Sequence, residues 1–551
     1  MSTRIQRRPA RQALSGLRHW RPQLSTEHAI LGAALFFSLA CNGLFWRSAL
    51  VVHPGNLRLA LALFGTLTGL HCLLMGLVVW RWNAKPVLGA LVIVSLLAAH
   101  YMGRYHLYLD VDMLRNVLAT DRRESGELLT PALLLPLLQA TIPLALLWRI
   151  RLRPAPLARA VLRRSAFLLG ALVVTAGSAL LAQQDLSALL RNQREVRYLA
   201  TPANVLVGLP RALQGDSPLR HAPKLPIGTD AHAVPREAGG KPRLLVLVVG
   251  ETARAANWGL DGYARQTTPE LDRMGVVNFP DMHACGTATE VSLPCMFSPW
   301  GRHDYDEDRI RGHQSLLHVL ETAGITTLWR DNQSGCKGVC EGLAVQRLDA
   351  GDDPALCPGG RCLDGILLDD LPAQARARPG DRVIVLHQLG NHGPSYFERY
   401  PRQFRHYTPT CDTPELGDCS REQIVNSYDN ALLYTDHLLA RSIEQLGRMD
   451  DYDTAMIYLS DHGESLGEKG LYLHGVPYAI APDEQTRVPM AMWFSSGFAA
   501  NRKLDVACLR ARAERAADHD NLFSSVLGLM QVDTALYDRS RDLFAGCVPA
   551  G

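Results

Sequence analysis

The chain is predicted to be an α/β domain with a central, mostly parallel sheet, preceded by an α-helical membrane domain of five spans. Three observations carry this. Four short apolar runs after residue 240 each end in polar, chemistry-bearing residues. Five apolar stretches of spanning length crowd the first 182 residues. Ten of the twelve cysteines come after those stretches.

Taken in order, residues 1–28 carry six arginines and are followed by an apolar stretch at about 29–47. Alone, that pattern is also a signal peptide. Four further runs follow, near 59–80, 86–102, 131–148 and 165–182. A spanning helix needs about 20 residues, with a range of about 17–25. All five qualify as uncleaved transmembrane helices. Arg81, Lys85, Arg149, Arg151, Arg153, Arg159, Arg163 and Arg164 put the amino terminus and the loops after the second and fourth spans in the cytoplasm. Five is odd, so everything after residue 182 is exported, as is the segment 103–130. That segment holds Asn116, Thr120 and Glu124 at i, i+4 and i+8, one face of a helix. The plain reading of such a face is a solvated one.

Residues 183–214 interleave Leu186, Leu189, Leu190 and Val196 with Arg191, Arg194 and Arg197, which suits a helix lying on a lipid surface. The Pro- and Gly-rich stretch 216–242 reads as a linker. The expected domains are therefore 1–182 in the membrane, 183–240 as interfacial helix and linker, and 241–551 as the exported domain. A net charge of +3 over 551 residues argues against a nucleic-acid partner.

Leu244–Val249, Ile325–Trp329, Val383–Leu386 and Ala455–Leu459 read as buried strands. They run into Gly250-Glu251-Thr252, Arg330-Asp331-Asn332, His387…His392 and Ser460-Asp461-His462. In open α/β sheets ligands bind beyond the carboxyl ends of the strands. Carboxylates, an imidazole and an oxygen nucleophile form a zinc-type set. The nucleophile is sought in Cys285-Gly-Thr-Ala-Thr-Glu-Val-Ser-Leu-Pro-Cys295, a small-residue turn bracketed by cysteines. A threonine hydroxyl needs a base or a metal to act as a nucleophile. The residues alone do not separate Thr287 from Thr289. Each piece also has a plain reading: Asp-His as a turn and cap, and Glu251 as a helix-terminal carboxylate.

Gly250-Glu-Thr-Ala-Arg254, Cys285-Gly-Thr-Ala-Thr289, Pro294-Cys-Met-Phe-Ser298, Asn391-His-Gly-Pro394 and Ser460-Asp-His-Gly-Glu-Ser-Leu-Gly467 resemble the lipid A phosphoethanolamine transferases. These are inner-membrane enzymes with a periplasmic domain of the alkaline phosphatase and sulfatase superfamily, and they include the transferable colistin-resistance enzymes. The resemblance is close over about 240–551 and looser before it. It implies an alkaline phosphatase-like periplasmic domain and transfer of phosphoethanolamine from phosphatidylethanolamine to a lipid A phosphate, which weakens binding of polymyxin. It implies Thr289 as nucleophile, with Glu251, Asp461, His462 and the Thr289 oxygen on one zinc ion, or two. Lys337, His392 and His474 are implied to steady phosphoryl oxygens or protonate leaving groups, and Asn116, Thr120 and Glu124 to face the substrate. The expected partners are the donor lipid, lipid A and membrane lipids, around a monomer.

Near-neighbour cysteines suggest the bridges 285–295, 336–340, 357–362 and 411–419, leaving 508–547, and the family is similarly bridged. Connectivity is not determined by sequence, and a zinc site at Cys336 and Cys340 is the alternative. Glu290, next to Thr289, is a departure that raises the cost of a negative oxygen there. Two other readings compete: transfer to a different envelope acceptor, and a non-catalytic membrane sensor that kept the fold. A sulfatase is disfavoured because Cys-x-Pro-x-Arg is absent at this position.

Overall fold

This computed structural model describes residues 21–51, 56–120, 122–214, 223–236, 239–348, 351, 355–357 and 361–548. The chain divides into two units, Met1–Asp110 with Pro131–Pro210, and Val111–Thr130 with Arg211–Gly551.

In the first unit the expected span at 29–47 is two helices, α1 (Thr26–Ala40) and α2 (Gly43–Val51), bent by 58°. The apolar run hides the break because Asn42 sits inside it. Its side chain donates to the carbonyls of Phe37 (2.9 Å) and Thr201 (2.6 Å) and accepts from the Thr201 N–H (2.9 Å). An Asn side chain competes with the helix for backbone groups in this way. Helices α3 (Leu57–Val78) and α4 (Ala84–Tyr105) follow.

Helices α5 (Val111–Ala119) and α6 (Arg122–Leu128) belong to the second unit. Helix α7 (Leu134–Arg149) is entered through a 3-10 turn at Pro131–Leu133. Helix α8 (Leu157–Leu181) starts eight residues before the apolar run at 165–182. Arginine is a good helix former, so Arg159, Arg163 and Arg164 continue the helix toward its start. Arg164 donates to the carbonyls of Gly76 and Val79 at the end of α3 (2.7 and 2.9 Å), where a cation suits the helix dipole. Helices α3 and α8 approach closely. A Cβ on Gly69 would come 2.3 Å from Thr175 Oγ1, the small-residue packing typical within membranes. The described residues thus include four helices long and apolar enough to span, or five if the bent pair counts as one. Residues 183–214 form three pieces rather than one helix: α9 (Gln183–Asn192), a 3-10 stretch (Arg194–Leu199) and α10 (Ala203–Gln214).

The second unit is built on an eight-stranded sheet of β1 (Arg243–Gly250), β2 (Val277–His283), β3 (Thr326–Asp331), β4 (Val345–Arg347), β5 (Arg382–His387), β6 (Asp453–Ser460), β7 (Arg487–Phe494) and β8 (Ala517–Asp518). The spatial order is β8-β2-β7-β6-β1-β5-β3-β4. Only β7 runs antiparallel to its neighbours. Strands β1 and β6 are buried along their whole length, as expected for central strands covered on both faces. Register pairs Val249 with Leu459 and with His387, and Gly250 with Ser460. The residues that follow these strands therefore emerge side by side.

Helix α11 (Thr289–Met296) follows β2 and carries the candidate nucleophile turn. Helix α12 (Arg421–Gly447) is started by a capping box of Ser420 and Gln423, and α13 (Asp520–Met530) follows β8. Part of the expected linker is sheet: His232–Ala233 pairs antiparallel with Val532–Asp533. The structure bonds Cys285 to Cys295, Cys336 to Cys340, Cys357 to Cys362, Cys411 to Cys419 and Cys508 to Cys547. Cys336 and Cys340 are bridged and so hold no zinc. Cys41 and Cys72 are free and buried.

Candidate active site

Glu251 and Asp461 are the first residues beyond the paired strand ends of β1 and β6, and His462 follows. Across from them, Thr289 opens α11. Its Oγ1 donates to Glu251 Oε2 (3.0 Å) and Oε1 (3.1 Å) and lies 3.3 Å from His462 Nε2. His462 Nε2 is also 3.3 Å from Glu251 Oε1 and 3.4 Å from Asp461 Oδ2. His462 Nδ1 faces the Gly463 carbonyl at 3.0 Å, which fixes the tautomer and leaves the Nε2 lone pair directed inward. Thr287, two residues earlier, donates its hydroxyl to the Val476 carbonyl (2.7 Å) and points elsewhere.

Glu251, Asp461 and His462 have no exposed surface and Thr289 is 4% exposed. Burial pushes the Asp461 carboxyl up to about 7, and the Glu251 charge pushes the same way. Burial also raises Glu251 and lowers His462. Two adjacent buried carboxylates without a cation between them are costly. The ligand atoms of Glu251, Asp461 and His462 lie within 4.8 Å of one another. Asp461 Oδ2 has no hydrogen-bond partner, while Asp461 Oδ1 is held by the N–H groups of Thr252 (3.2 Å) and His462 (2.7 Å). The set fits a divalent metal ion.

His474 lies beside this cluster, with ring centroids 4.5 Å from His462 and 5.4 Å from His392. Its Nδ1 is 2.9 Å from Glu464 Oε2. Burial pulls its pKa down, but Glu464, Glu251 and Asp461 more than offset that and leave it at about 9. His392 is held well below its ordinary value by burial and then by His474 and Arg399. Lys337, at φ +48°, places Nζ 2.6 Å from Ser334 Oγ and 3.9 Å from Glu290.

Asn116 and Thr120 do not continue on one helix. Helix α5 ends at Ala119, and Thr120 lies in the break, donating to the Asn116 carbonyl (2.7 Å). The Glu124 side chain lies outside the described residues. The segment nonetheless packs on the candidate site: a Cβ on Gly475, next to His474, would come 2.4 Å from Met113 Cε. Asp331 and Asn332, read as possible strand-end ligands, are engaged by other partners. Asp331 pairs with His387 (2.7 Å), and Asn332 with Asp364 (2.8 Å).

Several contributors carried no sequence signal. Gln333 Nε2 donates to Glu251 Oε2 (3.2 Å), and Tyr396 donates to Glu464 Oε1 (2.5 Å). Arg399 donates to the His392 carbonyl (2.7 Å) and to both oxygens of Glu127. None stands in a short motif, and only the fold brings them in.

Comparison with known proteins agrees with this arrangement. The family model "Sulfatase" matches residues 243–532, and "Phosphoethanolamine transferase EptA/EptB" matches 67–216. "Phosphoethanolamine transferase EptA" of Escherichia coli is 38% identical over 96% of this chain and 98% of that protein. "Phosphatidylethanolamine transferase Mcr-2" of Escherichia coli is 36% identical over 84% of this chain and 88% of that protein. The solved structure of the integral membrane protein lipooligosaccharide phosphoethanolamine transferase A from Neisseria meningitidis matches with a TM-score of 0.89 and 36% identity. It covers 96% of this chain and all of that one. The chain belongs to the EptA/EptB family of phosphoethanolamine transferases: an inner-membrane enzyme whose catalytic domain, of the alkaline phosphatase and sulfatase superfamily, lies in the periplasm.

Proposed function

We propose that the chain moves phosphoethanolamine from phosphatidylethanolamine to a lipid A phosphate through a covalent phosphoethanolamine on Thr289. The observation that carries this is the Thr289 hydroxyl, 3.0–3.3 Å from Glu251 and His462 while Thr287 is tied to a carbonyl. The donor class is in the name of the Mcr-2 relative. The acceptor class is supported by the lipooligosaccharide in the name of the Neisseria meningitidis structure and by a further relative, "Kdo(2)-lipid A phosphoethanolamine 7''-transferase" of Escherichia coli. Glu251, Asp461, His462 and the Thr289 oxygen are the proposed ligands of one zinc ion, a four-ligand oxygen and imidazole set. Bound there, zinc lowers the pKa of a hydroxyl and offsets phosphoryl charge.

Thr289 Oγ1 attacks the phosphorus of the donor while its proton passes toward Glu251, already its hydrogen-bond acceptor. The bond from phosphorus to the glyceryl oxygen breaks and diacylglycerol leaves, protonated by His474, while neutral His392 is proposed to steady a phosphoryl oxygen. A lipid A phosphate oxygen then attacks the same phosphorus, and the Thr289 oxygen leaves and regains a proton. Thr289 is the first residue of α11, so the positive end of the helix dipole favours the phosphoryl anion. Lys337 is proposed to steady phosphoryl oxygens, and Asn116, Thr120 and Glu124 to line the donor's approach. A second ion at His474 is part of the proposal only if metal analysis finds more than one zinc per chain.

The test is mass spectrometry of the protein and of lipid A from cells expressing it. Phosphoethanolamine is expected on Thr289, and Thr289→Ala should abolish both the adduct and the added mass on lipid A. Polymyxin resistance should be lost with it, since an added ammonium weakens cationic peptide binding. Modified lipid A in the Thr289→Ala strain would overturn the covalent route. Wild type with unmodified lipid A and another modified envelope component would move the acceptor.

A further inference from the structure

We infer that His519, together with Ser292, is a positioning clamp for the transfer reaction, holding the turn that carries Thr289 in place against the strand end that carries Asp461 and His462. The inference rests on the transfer reading above.

Strands β2 and β6 do not pair, because β7 lies between them. The ladder relays the spacing between the turn after β2 and the ligands after β6 through β7, whose register with β2 shifts between Val488 and Met490, close to the site. His519 crosses that gap. Its backbone N–H donates to the His283 carbonyl (3.0 Å), extending the pairing of β8 with β2. Its ring Nδ1 accepts the Cys285 N–H (3.0 Å), at the start of the nucleophile turn. Because Nδ1 accepts, the ring proton sits on Nε2, which donates to the Ser460 carbonyl (3.0 Å), one residue before Asp461. The imidazole is thus a strut between the two halves of the site.

Ser292 completes it from the other side. It lies three residues after Thr289, on the same face of α11. Its hydroxyl donates to the Asp461 carbonyl and sits 3.4 Å from His519 Nδ1. His519, Ser292 and Ser460 have no exposed surface, so water cannot replace these bonds. Burial also pushes the His519 pKa down to about 4, in keeping with a neutral ring. None of these bonds reaches Thr289 Oγ1, so His519 acts through the backbone it holds. Misplacing a reacting group by about 1 Å costs on the order of 10²-fold in rate, and outer partners of a metal site are typically worth 10–100-fold.

The test uses the full-length enzyme with phosphatidylethanolamine and lipid A. His519→Gln keeps a donor for Ser460 and loses the acceptor for Cys285. His519→Asn keeps the acceptor and loses the reach to Ser460. Ser292→Ala removes the second strand of the clamp. kcat and KM are measured per folded molecule at saturating zinc, below each variant's Tm, and the zinc affinity is read by chelator competition. Each His519 variant should lose about 10–100-fold in kcat with KM for the donor unchanged. Ser292→Ala should lose less, and the double variants should lose less than the product of the singles, as expected for one unit. A role in stability alone would lower Tm and leave kcat per folded, loaded molecule at the wild-type value; that result in both His519 variants overturns the clamp. If the His519 variants do not fold, an unchanged kcat in Ser292→Ala overturns it. A wild-type enzyme that transfers nothing overturns the transfer reading and the clamp with it.

Discussion

Glu290 is the side chain whose presence beside the nucleophile most needs a physical account. A carboxylate there opposes a negative oxygen on Thr289. The structure surrounds it with cations: Arg311 Nη1 is 2.9 Å from Glu290 Oε1, and Lys337 Nζ is 3.9 Å from Oε2. Glu307 holds Arg311 from the far side at 3.0 Å. Burial pulls the Arg311 pKa down, but Glu290 and Glu307 more than offset it. Arg311→Met should therefore expose the field of Glu290 and lower kcat by about tenfold, which is about 1.4 kcal/mol in barrier. Adding Glu290→Gln should restore part of that loss, and a kinetic double-mutant cycle reads the coupling. No gain from the second change would mean that Arg311 acts through packing. Glu290 was legible as a problem in the sequence, but its answer was not, because Arg311 is twenty-one residues away. The choice between Thr287 and Thr289 was hidden for a related reason. Both are threonines in one turn, and only the start of α11 at residue 289 turns the two hydroxyls to different partners.

At the scale of elements, the central strands could be read directly because double burial writes them as unbroken apolar runs. Strand β7 could not. Its Arg-Val-Pro-Met-Ala-Met-Trp-Phe lacks the β-branched run, and it is the one antiparallel member. The segment Val111–Thr130 was legible as helix but not as two helices. Its attachment to the catalytic unit depends on ion pairs that no local pattern shows. Arg115 pairs with Glu307, and Glu127 pairs with Arg361 and Arg399. The Arg399 side chain is 1% exposed and that of Glu127 is 10% exposed. Removing one partner of such a buried pair costs about 3–5 kcal/mol, so Glu127→Ala should lower Tm markedly. Glu127→Gln with Arg399→Met removes the more buried pair, leaves Arg361 with its 24% exposed side chain to water, and should recover part of that stability. If the segment helps to bind the donor, the double variant should still show a raised KM. A double variant with wild-type KM would confine the pair to a structural role.

At the scale of the whole chain, the bent pair α1–α2 decides how many times the membrane is crossed. By length and composition it is a broken span or a re-entrant loop. A small feature of the first unit distinguishes them: Gln23–Leu24 pairs parallel with Arg151–Leu152. The chain before α1 and the chain after α7 must then lie on the same side of the membrane. That requires an even number of crossings between them. With α1–α2 as one crossing, followed by α3, α4 and α7, the count is four; with α1–α2 re-entrant, it is three and the pairing is impossible. Helix α8 is then the fifth crossing and delivers the catalytic domain outside. The arginines at 149, 151, 153, 159, 163 and 164 place the paired side in the cytoplasm. A reporter active only in the periplasm should give no signal when fused after residue 155 and a full signal after residue 215. A fusion at residue 56 should also be active, because it follows a complete first span. Silence there, with activity after 215, would make α1–α2 re-entrant and would mean that the pairing of residues 23–24 with 151–152 does not exist in the membrane.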